Sequence, residues 1–456
     1  MAEREFDVVV LGGGAAGEVC AGRLGSSGLD VALVENHLVG GECSYYACMP
    51  SKTLLRPAEL LAEVQRVPGA REAVTGELDV EAALRRRDEV IHDLDDSSQL
   101  PWLEDRGVDL VRGQGVFDGE RRVRVGQDVL TARRAVVVAT GSAAAMPPIE
   151  GLAEARPWSN HQATTAQAPP SRLLVLGGGA VGVELAQAWA TLGSSVALVE
   201  AEERVLVPEE PLASAEVTEG LSNAGVEVRI GARVEGASRG EAGQVTLRLA
   251  GGGELHGDEL LVAVGRKPRT EGIGLETVGV EPGGYLETDD QLRVGGRDWL
   301  YAVGDVAGRA LLTHMGKYQA RLAADAIVGK QVEATAEGRG SPRVVFTEPQ
   351  VAAVGLTLAQ AEERGIAARA VDVKTSANAG ASFVGRNAPG TSRIVVDEAR
   401  DVIVGATFVG PETADLLHAA TVAVVGEVRL QRLWHAVPSF PTRSEVWLKL
   451  LEKYGL

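Results

Sequence analysis

Short runs of aliphatic and β-branched residues alternate with stretches of helical periodicity along most of the 456-residue chain. Phe6–Leu11 is the first such run. A helix-like stretch follows to about Ser27, and Val31–Val34 is a second run that ends in Glu35. Strand, helix and strand in that order predict a βαβ unit with parallel strands. The turn into its helix reads Gly12-Gly13-Gly14-Ala15-Ala16-Gly17, so Gly12, Gly14 and Gly17 fit G-x-G-x-x-G. Such glycines permit a tight turn and let the backbone approach a pyrophosphate at the helix N-terminus. Glu35 stands where a carboxylate accepts from ribose hydroxyls.

The pattern occurs twice. Leu11-Gly-Gly-Gly-Ala-Ala-Gly17 returns as Leu176-Gly-Gly-Gly-Ala-Val-Gly182, and Val31-Ala-Leu-Val-Glu35 returns letter for letter as Val196-Ala-Leu-Val-Glu200, both displaced by 165 residues. One such match is easily accidental; two in register predict two dinucleotide-binding domains. Between them, helices are expected over about Thr53–Val67 and Leu78–Leu100, and short strands over Val108–Val125 around Gly113-Gln114-Gly115. A buried strand, Ala135–Val138, closes on Ala139-Thr140-Gly141, and Met146–Gly151 reads as a crossing between domains. The second unit ends on Leu260–Val264 and Gly265-Arg266-Lys267-Pro268. Trp299–Val303 then leads into Gly304-Asp305 and a helix from Leu311 to about Val328. A Gly-rich linker, Val332–Ser341, follows. From Val344 the texture changes to an α+β layer, with antiparallel strands at Val344–Phe346, Arg393–Asp397 and Val402–Val409 and a final amphipathic helix, Val446–Lys453. The boundaries expected are 1–150 and 272–337 for the first nucleotide domain, 151–271 for the second and 338–456 for the α+β domain.

Composition narrows the function. A net charge of −18 argues against nucleic acid as a partner, because phosphate binding needs a basic field. No apolar stretch reaches the roughly 18 residues of a membrane helix, and the acidic N-terminus does not read as a signal peptide. A cytoplasmic location is the expectation. Three cysteines do not make a disulfide scaffold. Two of them, Cys43 and Cys48, stand close together just after the first βαβ unit, with Lys52 four positions on. A nearby cation favours the reactive thiolate. Spacing alone leaves a redox unit, half of a metal site and two buried thiols all open. Cys20 reads as a small core residue, and Arg85-Arg86-Arg87 as a solvated helix face.

Taken together, these motifs resemble the class I pyridine nucleotide–disulfide oxidoreductases, the dihydrolipoamide dehydrogenase, glutathione reductase and mercuric reductase relatives. The likeness covers essentially the whole chain, and includes the Phe346-Thr-Glu-Pro-Gln-Val-Ala-Ala-Val-Gly355 start of an interface domain. It implies an α/β fold of two Rossmann-like domains plus a C-terminal α+β dimerisation domain. It implies FAD at the first nucleotide site, with Gly12, Gly14, Gly17, Glu35, Gly41, Lys52, Gly115, Thr140, Gly141, Gly304 and Asp305 around it, and NAD at the second, with Gly177, Gly179, Gly182, Glu200 and Gly265. Cys43 is then the interchange thiol that meets the substrate and Cys48 the thiol against the flavin. Lys52 is expected to pair with Glu184 and to stabilise charge arriving on the flavin. Glu200 favours NADH over NADPH, because a carboxylate there repels a 2′-phosphate; Arg204 is the one counter-indication. The implied enzyme is a homodimer that passes electrons from NADH through FAD to the Cys43–Cys48 disulfide and on to a small-molecule acceptor.

The chain departs from the family at its tail. Most disulfide-reducing relatives read His-Pro-Thr-x-Ser-Glu, the histidine acting as acid and base on the partner subunit's interchange thiol. This chain reads Phe440-Pro441-Thr442-Arg443-Ser444-Glu445; the glutamate stays and the histidine is lost. His435 is the nearest histidine and reads as structural. Glu42 replaces the common threonine, Ala47 replaces a glycine, and Tyr45 and Tyr46 lie between the cysteines. No cysteine follows Cys48, so the second cysteine pair of mercuric reductases is missing. A flavin-level diaphorase or quinone reductase, or a mercuric-reductase-like enzyme, is the alternative expectation.

Overall fold

The computed structural model describes residues 3–456, which form two compact units. The first comprises residues up to Pro50, Asp88–Ala144 and Arg266–Glu337. The second comprises Ser51–Arg87, Ala145–Gly265 and Gly338–Leu456.

In the first unit, the strands Glu3–Leu11 and Val31–Glu35 lie side by side and parallel, Val8 opposite Val31, with the Ala15–Ser26 helix crossing between them. Val108–Arg112 extends the sheet beyond Val31–Glu35, and Asp128–Val138 flanks the first strand on its other side. Leu300–Ala302 adds a further parallel strand, and Arg122–Val125 and Gly115–Phe117 an antiparallel edge. The central strands are buried, as expected for a parallel sheet covered on both faces. Cys20 faces this core fully buried, its thiol pushed up to about 12 by burial, which suits an inert core residue.

The second unit repeats the plan. Arg172–Leu176, Ser195–Val199, Glu227–Arg229 and Glu259–Val262 form a four-stranded parallel sheet, crossed by the Ala180–Thr191 helix. The α+β layer holds a five-stranded antiparallel sheet, in the order Arg343–Val345, Gln350–Gly355, Val402–Gly410, Thr391–Asp397, Ala368–Lys374. Sequence reading missed two of these strands. Gln350–Gly355 is wholly buried and alanine-rich, so it shows no alternation, and Ala368–Lys374 is a charged edge strand. No helix among the described residues is long and apolar enough to cross a membrane.

Two other expectations are corrected. The helix foreseen over Leu78–Leu100 runs only from Val80 to Val90, and His92, Asp93 and Leu94 turn left-handed. Aspartates beyond them take over backbone groups: Asp95 accepts from Ser97 N at 2.9 Å and Asp96 from Val39 N at 2.7 Å. This is the competition that makes aspartate a helix-ending residue. Nor are all three arginines of Arg85–Arg87 solvated. Arg85 pairs with Glu81 at the surface, whereas Arg87 is fully buried and donates to the carbonyls of Thr164 at 2.6 Å and Ala166 at 3.1 Å. It places its guanidinium on carbonyls at the end of the Asn160–Thr165 helix, where helix geometry calls for outside donors.

Candidate active site

Both glycine loops are built alike, down to individual hydrogen bonds. In the first, a Cβ at Gly17 would stand 1.8 Å from Gly12 O; in the second, a Cβ at Gly182 would stand 1.9 Å from Gly177 O. Only glycine lets each helix start against its own turn. Gly14 and Gly179 cap the two helices without a side-chain acceptor, which leaves the first-turn N–H groups available to an anion. Glu35 accepts from Gly13 N and His37 N, both at 2.6 Å, and Glu200 accepts from Gly178 N at 2.5 Å and Glu202 N at 2.8 Å. Each carboxylate is thus fixed at its strand end by backbone amides, with lone pairs left for hydroxyl donors. Gly41 lies against the first loop, where a Cβ would stand 2.8 Å from Gly14 Cα, and Gly115 packs under Leu11 and Val34.

A second group of residues closes on the first loop's unit. Asp305, in the turn Gly304–Ala307, accepts from Ser142 Oγ, and Gly304 N donates to Gln319 at 2.8 Å. Arg266 donates to Ser142 Oγ at 2.6 Å and to Ser142 O at 2.9 Å, and its guanidinium lies 3.6 Å from Asp305. Glu42 reaches Arg269 at 2.9 Å and Arg266 at 3.5 Å. Thr140 Oγ1 donates to Arg269 O at 2.7 Å, and Gly141 O accepts from Arg269 N at 3.0 Å. Sequence reasoning gave no role to Arg266 or Arg269. Their only signal was position, directly after the turn at Gly265.

Cys43 lies in a short helix, Gly41–Tyr45, and Cys48 opens the Cys48–Arg66 helix. The two side chains are neighbours, hydrogen bonded to each other. That bond, followed by burial, raises the Cys43 thiol above its ordinary value. Thr313 Oγ1 sits 3.4 Å from Cys48 Sγ, a contact that sequence reading did not foresee. Tyr45 is buried with Tyr46 and Ile91, and Tyr46 stacks on His37, with Tyr46 OH 2.8 Å from His37 Nε2.

In the second unit, Lys52 Nζ lies 2.7 Å from Glu184 Oε2 and 4.9 Å from the centre of the Phe346 ring. Glu184 is buried and also accepts from Phe346 N at 2.9 Å, so its position is set from two sides. At the tail, Phe440 is 78% exposed. Glu445 is buried instead and accepts from Gly380 N at 3.1 Å. His435 is exposed. Among the described residues, no group of three or more His, Cys, Asp or Glu side chains could hold a metal ion.

Residues 6–326 match the family described as pyridine nucleotide-disulphide oxidoreductase, and residues 341–451 match its dimerisation domain. The chain belongs to this family. It is 33% identical to a dihydrolipoyl dehydrogenase of Thermus scotoductus, over 98% of this chain and 97% of that one. It is 29% identical to a mercuric reductase of Staphylococcus aureus, over 97% of this chain and 81% of that protein. Among solved structures, the flavoprotein disulfide reductase RclA of Escherichia coli, described as HOCl-induced and solved as a Cu(II) complex, superimposes with a TM-score of 0.87 at 25% identity, over 98% of this chain and 99% of that one.

Membership makes the protein an FAD-dependent oxidoreductase that uses a pyridine nucleotide and a redox-active disulfide, and its C-terminal domain supports a homodimer. The α/β architecture with a separate α+β dimerisation domain is the one expected from the sequence. The residues present suit a dinucleotide. The first loop offers an uncapped helix N-terminus, glycines at Gly12 and Gly17 where a side chain would collide with backbone, and a carboxylate already oriented at the neighbouring strand end.

Proposed function

We propose that the protein takes electrons from NADH, delivers them to the Cys43–Cys48 pair, and passes them to an acceptor that needs no protonated leaving group. The observation that carries this reading is the tail: an exposed phenyl ring, Phe440, stands where a proton donor is expected, while the dithiol remains intact. FAD, when bound, supplies hydride acceptance and the relay of electrons. The chain's own residues do the rest. Gly12, Gly14 and Gly17 admit the pyrophosphate, Glu35 orients the adenosine end, and Gly41, Gly115, Thr140, Gly141, Gly304 and Asp305 line the remainder. Gly177, Gly179, Gly182, Glu200 and Gly265 form the nicotinamide-nucleotide site. Lys52, its ammonium set by Glu184, supplies positive charge where the reacting ring gains electrons. Thr313 steadies the Cys48 sulfur. The domain division proposed is 1–150 with 272–337 for FAD, 151–271 for NAD and 338–456 for dimer formation, in a cytoplasmic setting that keeps free thiols reduced.

Two acceptor classes satisfy the missing acid: disulfides whose thiols leave readily as anions, and thiophilic metal ions. The metal class gains support from a structural relative solved with Cu(II) and from sequence relatives that are mercuric reductases. The test is an anaerobic NADH titration followed by turnover with lipoamide, glutathione, activated aromatic disulfides, quinones, Cu(II) and Hg(II). Activated disulfides or metal ions are expected to outpace lipoamide. Faster turnover of quinones than of both, surviving loss of the cysteines, would sink the dithiol route.

Restoring the acid provides a second measurement. Phe440→His is expected to raise lipoamide turnover by about tenfold, less than the roughly 10²–10⁴ of a fitted general acid, because Glu445 already serves Gly380 N. No gain would mean that the ring at 440 does not limit turnover.

NADH preference has support beyond Glu200. Arg204, the one residue that suggested NADPH, donates to Leu206 O, Val207 O, Glu209 O and Ser214 Oγ, so its guanidinium is already engaged. Glu200→Ala is expected to lower kcat/KM for NADH by about tenfold, the worth of a lost charged hydrogen bond, and to leave NADPH nearly unaffected. Steady-state kinetics with both nucleotides decide it.

A further inference from the structure

Arg204 is engaged, and what keeps it engaged lies in another layer of the second unit. Residues 201–210 run as bends and turns from the strand end at Glu200 to the Pro211–Asn223 helix. The segment rests on the second glycine loop, where Leu206 N donates to Gly178 O at 2.9 Å. Val205 and Leu206 are buried, and Leu206 holds a left-handed φ of +50°. A leucine stays in that conformation only where its surroundings dictate it. Arg204 draws the segment into a ring. Its guanidinium donates to Leu206 O at 3.3 Å, Val207 O at 2.6 Å, Glu209 O at 3.0 Å and Ser214 Oγ at 2.5 Å.

The far end of this segment is anchored to the α+β sheet. Glu209 is buried and accepts from two nitrogens of Arg343, Nε at 2.7 Å and Nη2 at 3.0 Å. Glu210 is buried too, and accepts from Arg393 Nη1 at 2.9 Å and Leu358 N at 2.8 Å. Asp372 holds Arg393 from its own side, through two bonds of 2.7 Å. The two arginines stand on the strands Arg343–Val345 and Thr391–Asp397. A forked arginine–carboxylate pair fixes direction as well as distance. Two carboxylates in succession are therefore clamped, and the carbonyl of one of them, Glu209, is an acceptor for Arg204.

We propose that Glu209 and Arg343 are positioning residues for nucleotide choice: their ion pair keeps the ring around Arg204 closed, and so denies a 2′-phosphate the guanidinium it needs. The proposal rests on the assignment of Gly177, Gly179, Gly182 and Glu200 to the nicotinamide nucleotide. An arginine near the ribose is what accommodates a 2′-phosphate in such sites, and Arg204 follows Glu200 by four residues. Removing Arg343 leaves the buried Glu209 carboxylate without the Arg343 counter-charge. That state is relieved by moving the carboxylate, and the Glu209 carbonyl with it, toward water. Arg204 then loses an acceptor and turns to a phosphate instead. Nucleotide choice is thereby set in part from the α+β sheet.

The test titrates the flavin-loaded protein calorimetrically with 5′-AMP and with 2′,5′-ADP, the adenosine end without and with its 2′-phosphate. Arg343→Met is expected to tighten 2′,5′-ADP relative to 5′-AMP by about tenfold, the worth of one charged hydrogen bond. The ratio of kcat/KM for NADPH to that for NADH should rise by the same factor, while kcat at saturating NADH holds. Glu209→Gln is expected to shift both ratios in the same direction, and it decides the matter if Arg343→Met does not fold. In Arg204→Met/Arg343→Met the gain is expected to vanish. Parent ratios in both Arg343→Met and Glu209→Gln overturn the proposal. So does a gain that survives in Arg204→Met/Arg343→Met, because a site that had merely loosened would show it too. Gly182→Ala separates the proposal from the assignment beneath it. If that variant binds both fragments as the parent does, the assignment fails and the proposal with it. If it weakens both while Arg343→Met leaves the ratio unmoved, only the proposal fails.

Discussion

Replacing Cys48 by serine is expected to lower NADH-dependent reduction of disulfides by at least about a thousandfold, the scale of losing a member of a concerted catalytic unit. The two sulfurs are adjacent and share a hydrogen bond, and Thr313 Oγ1 sits against both. A lone Cys43 thiolate can attack an acceptor disulfide, but it then remains in a mixed disulfide with nothing beside it to resolve the bond. Mass spectrometry of Cys48→Ser after one turnover should therefore find Cys43 carrying half of the acceptor. Quinone reduction, which needs no thiols, should persist in the same variant. Equal loss of both activities would mean that the serine had disturbed the flavin site and would remove the case for a dithiol relay.

Gly17→Ala is expected to abolish flavin retention, with under about a tenth of the parent's bound FAD after purification. The added methyl would lie 1.8 Å from Gly12 O, a backbone atom that cannot swing away, so the helix must leave the turn that holds its N-terminus. Gly182→Ala makes the same collision, 1.9 Å from Gly177 O, in the other loop. It should leave the flavin spectrum intact and raise the KM for NADH by about tenfold or more, since the loss is of ground-state nucleotide binding. The pair of variants separates the two sites by absorbance and by kinetics. If both lose flavin equally, the assignment of one loop to each nucleotide fails.

Features carried by contiguous residues were legible in the sequence. The two glycine loops, their terminal glutamates and the cysteine pair each lie within a few residues, and local rules of turn and strand suffice to find them. The pairing of Lys52 with Glu184 came from family likeness rather than from any local rule. Residues whose meaning depends on distant neighbours stayed hidden. Arg87 looks like a surface charge until the carbonyls of Thr164 and Ala166 are brought to it. Arg204 looks like a phosphate ligand until the turn around Val207 closes on its guanidinium. The missed strands have a different cause: Gln350–Gly355 is flanked by strands on both sides and small residues suffice there, so it lacks the alternation that identifies an exposed strand.

Glu445 bears on how such tails diverge. Its carboxylate is buried and holds the amide of Gly380, where a Cβ would stand 2.0 Å from the carbonyl carbon of Thr442. The acid therefore braces the turn Arg443–Glu445, ahead of the Val446–Tyr454 helix, against the Gly380–Val384 turn, a duty that is independent of proton transfer. Removing the glutamate would leave the buried Gly380 N–H without this acceptor, at a cost of about 1–3 kcal/mol. A structural duty of that size is reason enough for a carboxylate at this position even where no proton donor stands beside it.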